Sequence, residues 1–205
     1  MKTIVITGGI ATGKSTVCGF VARMVPKAQI FDCDVQVHDL LTSGPTRDRL
    51  VTEFGGQILD SDGEIDRSCL GDLVFSDSTK RNELESIVHP AILEKCLISK
   101  EKASSSGSVP LFVADVPLYY QVEFPIEPDA VVVVASSVDD QRDRLAARLG
   151  LGIDHERVGK MITAQMPVAD KVERAGNIVI WNSGNLETLR QQTRLALDGV
   201  ETSNG

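Results

Sequence analysis

The stretch Gly8-Gly9-Ile10-Ala11-Thr12-Gly13-Lys14-Ser15 stands between the apolar run Ile4-Val5-Ile6-Thr7 and the helix-patterned Thr16-Val17-Cys18-Gly19-Phe20-Val21. Gly8, Gly13, Lys14 and Ser15 satisfy the P-loop spacing, in which backbone N–H groups curl around a di- or triphosphate at the N-terminus of a helix. Each residue type has a physical reason to be there. Glycine lets the backbone turn tightly and approach an anion with no Cβ in the way. A lysine at position 14 reaches the β- and γ-phosphates, and a serine hydroxyl at position 15 ligates Mg²⁺. The alternative is a glycine-rich turn ahead of an ordinary helix, and the strand before and helix after favour the phosphate loop.

Working outward, Thr3–Thr7 reads as a buried parallel strand and Ser15–Val25 as the helix that follows it. Gln29–Asp32 reads as a second strand, ending in Asp32-Cys33-Asp34, with helical spacing over Val35–Leu41. Ligands of open α/β sheets bind at the carboxyl ends of strands. Asp32 and Asp34 therefore read either as helix N-caps or as carboxylates that orient an attacking hydroxyl or hold Mg²⁺ through water. Pro110–Asp115 and Ala130–Ala135 supply two more strands, and Asn177–Trp181 a fifth. Asp115, closing an apolar strand, is either a turn residue or the acid that positions Mg²⁺ in P-loop proteins.

Between the second and third strands no strand pattern occurs. Helical stretches at Thr46–Phe54, Ser68–Val74 and about Thr79–Lys102 alternate with turn clusters, which describes a helical insertion large enough to hold an acceptor. His89-Pro90 interrupts the last of these, so a kink or a new helix start is expected there; His89 itself reads as a packed residue or as a site residue. Ser137–Leu149 is an arginine-bearing helix in which Arg144 and Arg148 are four apart and share one face. That face is either solvated, balanced by Asp139, Asp140 and Asp143, or a lid that closes over phosphates, with Gly150-Leu151-Gly152 as hinge. Asp154–Met166 is expected to be helical up to Pro167, and Leu186–Leu197 is the closing helix.

Composition narrows the function classes. A chain of 205 residues with 42% hydrophobic and 24% charged residues builds one globular core with insertions. A net charge of −8 opposes nonspecific binding to nucleic acid or to anionic membranes. No apolar run approaches the roughly 18 residues of a membrane span, and Met1-Lys2 leads directly into a strand, so a cytoplasmic protein is expected. Cys18, Cys33, Cys69 and Cys96 form no CxxC pair and read as reduced thiols. No NKxD guanine-reading segment is present; Asp60-Ser61-Asp62-Gly63 mimics DxxG only as a turn.

Taken together, TGGIATGKST, Asp32-Cys33-Asp34, Phe54-Gly55, DGEIDR at 62–67, LESIVHP at 84–90, ADVPLYY at 114–120, QRDRLAARLG at 141–150, ITAQMP at 162–167 and Asn182-Ser183-Gly184 resemble, in order and spacing, the dephospho-CoA kinase family of P-loop kinases. The likeness runs from about residue 3 to about residue 192, and its HP and DxPL segments are more specific than the P-loop. The resemblance implies an α/β P-loop three-layer sandwich with a five-stranded, mostly parallel sheet. It implies a single domain over 1–205: a core of 1–42, 108–140 and 176–200, a helical substrate insertion at 43–107 and a lid at 141–175. It implies transfer of the ATP γ-phosphate to the ribose 3′-hydroxyl of dephospho-CoA with Mg²⁺, and points to no obligate protein partner.

Carried over by position, Gly9, Ile10, Ala11, Thr12, Gly13, Lys14, Ser15 and Thr16 would hold ATP, with Lys14 on the transferred phosphate and Ser15 on Mg²⁺. Asp34 would be base or orienting group for the hydroxyl, supported by Asp32. Arg144 and Arg148 would be the lid charges. His89, Asp115 and Leu118 would line the acceptor region, with Asp115 also toward the metal, and Asn182 and Gly184 would lie near the ATP base. The chain departs from the family pattern at Tyr119, Gln121 and Trp181. Two other readings remain: a kinase of a different small hydroxyl acceptor, and a non-catalytic nucleotide-binding module.

Overall fold

The computed structural model describes residues 1–42, 44–150, 155–175 and 178–202. Five strands, β1 (Lys2–Gly8), β2 (Gln29–Asp32), β3 (Leu111–Asp115), β4 (Ala130–Ala135) and β5 (Val179–Trp181), form one sheet in the order β2-β3-β1-β4-β5. β1 pairs in parallel with β3 and β4, and β4 with β5. Parallel strands covered on both faces need continuous apolar sequence, which β3 (LFVAD) and the Val131–Val134 run of β4 supply. Every residue of β3 is buried, Asp115 included.

The nine helices of the described residues are α1 (Lys14–Met24), α2 (Cys33–Thr42), α3 (Gly44–Phe54), α4 (Arg67–Ser76), α5 (Ser78–Ser105), α6 (Val138–Leu149), α7 (His155–Thr163), α8 (Val168–Arg174) and α9 (Leu186–Thr202). The chain divides into two compact units, one of Met1–Phe31 with Lys100–Gly205 and one of Asp32–Ser99. In the first, α1 and α9 pack together, and Val17, Cys18 and Val21 of α1 and Leu189 and Val200 of α9 join Ile4, Ile6, Val113, Val132, Val134 and Ile180 of the sheet in one apolar cluster. α8 packs against β4 and α6 against α7.

The second unit is helical, with buried Leu40, Leu50, Phe54, Ile58, Leu70, Ile87, Ile92 and Cys96. Its turn at Asp60–Gly63 is local chemistry. The Asp60 carboxylate accepts from the N–H groups of Asp62 (2.9 Å) and Glu64 (3.0 Å), which leads into an antiparallel bridge between Leu59 and Ile65. Asp66 then caps α4, accepting from the N–H groups of Ser68 (2.8 Å) and Cys69 (3.1 Å).

Two expectations are corrected and one pair of alternatives is narrowed. At Pro90 the new helix start is excluded, since α5 runs through it as one helix of 28 residues. Pro90 is exposed, so the carbonyl it leaves without a helical donor can take water, while buried Ile87 and Val88 before it and Ile92 and Cys96 after it continue one apolar face. α7 ends at Thr163, short of Met166, and Val168–Arg174 forms a helix of its own whose pattern was too short to announce it. β5 begins at Val179; Leu151, Gly152, Asp154 and Asn177, which belong to the expected hinge, helix and strand, lie outside the described residues.

Candidate active site

At the carboxyl end of β1 the chain turns through Gly9–Gly13 into α1. Ala11 and Gly13 both have positive φ, 57° and 97°. For Gly13 that conformation would strain any other residue, and a Cβ there would also collide with Nδ2 of Asn182. A Cβ at Gly9 would come within 2.6 Å of Gln141 Nε2 and 2.7 Å of a Val168 methyl. These glycines are thus required by what presses on the loop from behind.

The loop is gripped on its outer side by side chains from distant segments. Gln141 of α6, 2% exposed, donates its amide to the Ile10 carbonyl at 2.7 Å. Gln165, between α7 and α8, accepts from the Ile10 N–H at 2.9 Å. Asn182, just after β5, donates Nδ2 to the Thr12 carbonyl at 2.9 Å and its own N–H to Ala135 at 2.7 Å. Thr12 Oγ1 and Lys14 Nζ both donate to the Gly9 carbonyl, at 2.9 and 3.2 Å. On the inner side the account is different. Among the described residues the N–H groups of Ala11, Gly13, Lys14 and Ser15 donate to no protein acceptor, and these are the orphan donors of a helix N-terminus, where an anion is stabilised.

Arg144 belongs to this arrangement. Its Nη2 donates to the Asn182 carbonyl at 2.8 Å and lies 3.9 Å from the Asp140 carboxylate, one helical turn back. Its Nη1 is shielded from water and has no acceptor among the described residues. α6 sets this up through a Ser137 cap, whose hydroxyl accepts from the Asp140 N–H at 3.0 Å, and acids in its first turn. Arg148, one turn further along, is exposed.

At the end of β3, Asp115 is 4% exposed and accepts a weak hydrogen bond from Cys18 Sγ at 3.6 Å. Ser15 presents its hydroxyl from the first turn of α1, exposed. Hydroxyl and carboxylate oxygens of this kind suit a hard cation such as Mg²⁺. Leu118 is half-buried, just ahead of a short turn of helix at Tyr119–Gln121. Gln121, a departure from the family pattern, accepts from the Met166 N–H at 3.1 Å. Tyr119 meets Tyr120 and Phe124 edge-on, with ring centroids 5.1 and 5.6 Å apart. Trp181 is 48% exposed on the sheet's edge strand and lines a cavity of about 490 Å³ together with Gly9, Gln141, Gln165 and Val168. Gly184 sits tightly against Thr188.

In the second unit, Asp32 is the last residue of β2 and its carboxylate accepts from the Val35 N–H at 3.1 Å, so it caps α2. Asp34 is exposed in the first turn of α2. His89 is half-buried within α5.

Sequence reasoning missed one residue of the first unit altogether. Lys171 of α8 has no exposed surface, and its ammonium donates to the carbonyls of Gly8 (3.0 Å) and Pro117 (2.8 Å). Burial, helped by the nearby charge of Lys14, pulls its pKa down to about 8. Gln141 and Gln165 carried no expected role. Gln141 lies between Asp140 and Arg142 and Lys171 follows Asp170, so the local sequence gives no signal of the contacts they make.

Comparisons with known proteins bear on the family and the fold. The model of the dephospho-CoA kinase family matches residues 2–188. A dephospho-CoA kinase of Symbiobacterium thermophilum is 39% identical, over 96% of this chain and 80% of its own length. The enzyme of Geobacillus kaustophilus is 38% identical over 93% and 92%. Among solved structures, a Thermus thermophilus protein superposes with a TM-score of 0.76 at 29% identity, covering 97% of both chains. A dephospho-CoA kinase from Campylobacter jejuni, at 21% identity and a TM-score of 0.65, shares the fold.

Proposed function

Because the chain belongs to the dephospho-CoA kinase family, a phosphotransferase that uses ATP, we propose that it transfers the γ-phosphate to the ribose 3′-hydroxyl of dephospho-CoA with the residues described above. The observation that carries the residue roles is the two-sided phosphate loop. Its outer carbonyls and the Ile10 N–H are occupied by Gln141, Gln165, Asn182 and Lys171, while the N–H groups of Ala11, Gly13, Lys14 and Ser15 have no protein acceptor among the described residues.

Phosphoryl transfer passes through a loose transition state with charge on the peripheral oxygens, so catalysis is mainly positioning and fixed positive charge. Residues 9–16 hold the phosphates of ATP, and Lys14 neutralises charge on the transferred group. Arg144 supplies fixed positive charge toward the same oxygens, with Arg148 as a second lid charge. Ser15 and Asp115 would hold Mg²⁺, which when bound would supply further positive charge to the phosphates. Asp34 orients the 3′-hydroxyl and accepts its proton, while Asp32, by capping α2, fixes the turn from which Asp34 projects. His89 and Leu118 belong to the acceptor's binding residues. Asn182 and Gly184 form the turn toward the ATP base. Residues 43–107 serve as acceptor insertion and 141–175 as lid.

The test is ADP release from Mg-ATP with dephospho-CoA, pantetheine, adenosine and AMP offered separately. Release with dephospho-CoA alone is the expected result. Equal rates with adenosine or AMP would point to a different acceptor. Saturable ATP binding without ADP release would point to a nucleotide-binding module.

A further inference from the structure

A lysine with no exposed surface is expensive, because an ammonium taken from water must recover its hydration from fixed partners. On packing grounds alone, an apolar side chain of the same length would serve α8 better. Lys171 spends its charge on two particular carbonyls. Gly8 is the last residue of β1, where the phosphate loop begins, and Pro117 lies two residues beyond Asp115, the last residue of β3. The two strands run side by side, with Ile6 opposite Asp115. Where they part, Val116 N–H donates to the Ile6 carbonyl at 2.9 Å and Thr7 Oγ1 to the Pro117 carbonyl at 3.3 Å. Beyond these bonds only the Lys171 ammonium bridges the two outgoing chains among the described residues, at 3.0 and 2.8 Å. The next carbonyl along the loop, Gly9, is taken by Lys14 itself. Two ammonium groups thus hold successive peptide carbonyls at the root of the loop.

We propose that Lys171 is a positioning residue for phosphate transfer: by clamping the Gly8 and Pro117 carbonyls together, it fixes the spacing between the phosphate loop and the acid Asp115. The inference rests on the reading of the loop as the ATP site and of Asp115 as a magnesium residue. Lys171 touches no substrate in this role. It acts through the backbone that carries Lys14 on one side and Asp115 on the other.

The experiment compares wild type with Lys171→Met, which keeps length and volume and removes charge and donors, and with Lys171→Arg, which keeps both. Hydrogen exchange of the ligand-free proteins, resolved over residues 8–16 and 115–121, is measured beside kcat, KM for ATP and the Mg²⁺ concentration giving half-maximal rate. For Lys171→Met the expected result is exchange about 10-fold faster in those two segments with the rest of the sheet unchanged, kcat lower by about 30-fold, and a Mg²⁺ requirement raised about 5-fold. Lys171→Arg should recover part of the rate and of the protection. Wild-type exchange, kcat and Mg²⁺ response in Lys171→Met would overturn the proposal. If Lys171→Met does not fold, Lys171→Gln is read in the same way. If none of the three variants folds, Lys171 serves folding rather than positioning, which also overturns it. A failure of the underlying reading looks different, because a wild-type chain that phosphorylates no dephospho-CoA would still show its loop protection by exchange.

Discussion

The phosphate loop and the acidic turn at Asp32–Asp34 carry the two halves of the proposed reaction and are built in opposite ways. The loop is held from a distance: Gln141, Gln165, Lys171 and Asn182 reach it across separations of 131, 155, 163 and 170 residues. The acidic turn is held by its own next turn, with Asp32 accepting from an N–H three residues on. The difference follows from what each must do. A cradle of backbone N–H groups has to keep a strained shape, with Ala11 at a φ of 57°, before any anion arrives to reward it, so its carbonyl side is pinned by neighbours. A carboxylate needs one side chain projecting from a fixed helix start, and a cap supplies that.

Substitutions can break this contrast, and the largest effect is expected in the loop. Lys14→Ala removes the charge on the transferred phosphate and the bond to Gly9; kcat/KM for ATP should fall by about 10³-fold, measured by steady-state ADP release. A fall of less than about 10-fold would mean that the loop amides alone stabilise the transferred group. Asp34→Asn should lower kcat by about 10²-fold with ATP affinity within about twofold of wild type, checked by calorimetry beside turnover. Full activity in that variant would remove Asp34 from the chemistry.

Arg144→Lys keeps the charge and loses the planar fork that joins the Asn182 carbonyl on one side to Nη1 on the other. It should cost about 10-fold in kcat. An unchanged rate would return α6 to the status of a solvated face. The smallest effect is on stability. The Lys171 pKa is lowered from 10.5 in the unfolded chain to about 8 in the folded one. As pH rises between those values, the unfolded chain binds more protons than the folded one, so folding stability increases. Below about 8 the full cost of the buried charge is present. The unfolding free energy of wild type relative to Lys171→Met should therefore rise with pH across that window, by no more than about 1.4 kcal/mol per pH unit. Denaturant titrations at several pH values check it, and parallel curves for the two proteins would contradict the assignment.

What could be read in the sequence was mostly what is built locally. Gly8, Gly13, Lys14 and Ser15 announce a phosphate loop because glycine conformations and a helix N-terminus are decided within eight residues. Strand positions were legible because parallel strands buried on both faces must be apolar throughout, as Leu111–Ala114 is. The cap at Asp32 was one of two open readings and is the one its carboxylate adopts toward Val35 N–H; Asp34 remains a reading to be tested by its variant. Of the two alternatives at Pro90, a new helix start is excluded, because one exposed proline is outweighed by the buried Ile87, Val88, Ile92 and Cys96 around it. Lys171 was illegible for a related reason: nothing near it in the chain distinguishes it from the surface lysines, and its partners at Gly8 and Pro117 are set by the fold.

The most direct test of the account is where the phosphate ends up. The product formed from dephospho-CoA and Mg-ATP would be analysed by mass and by ³¹P NMR correlated to the ribose protons. The account predicts a single added phosphomonoester coupled to the ribose 3′-hydrogen, formed together with ADP. A phosphate on the 2′-hydroxyl or on the pantetheine arm, or ATP held without transfer, would contradict it.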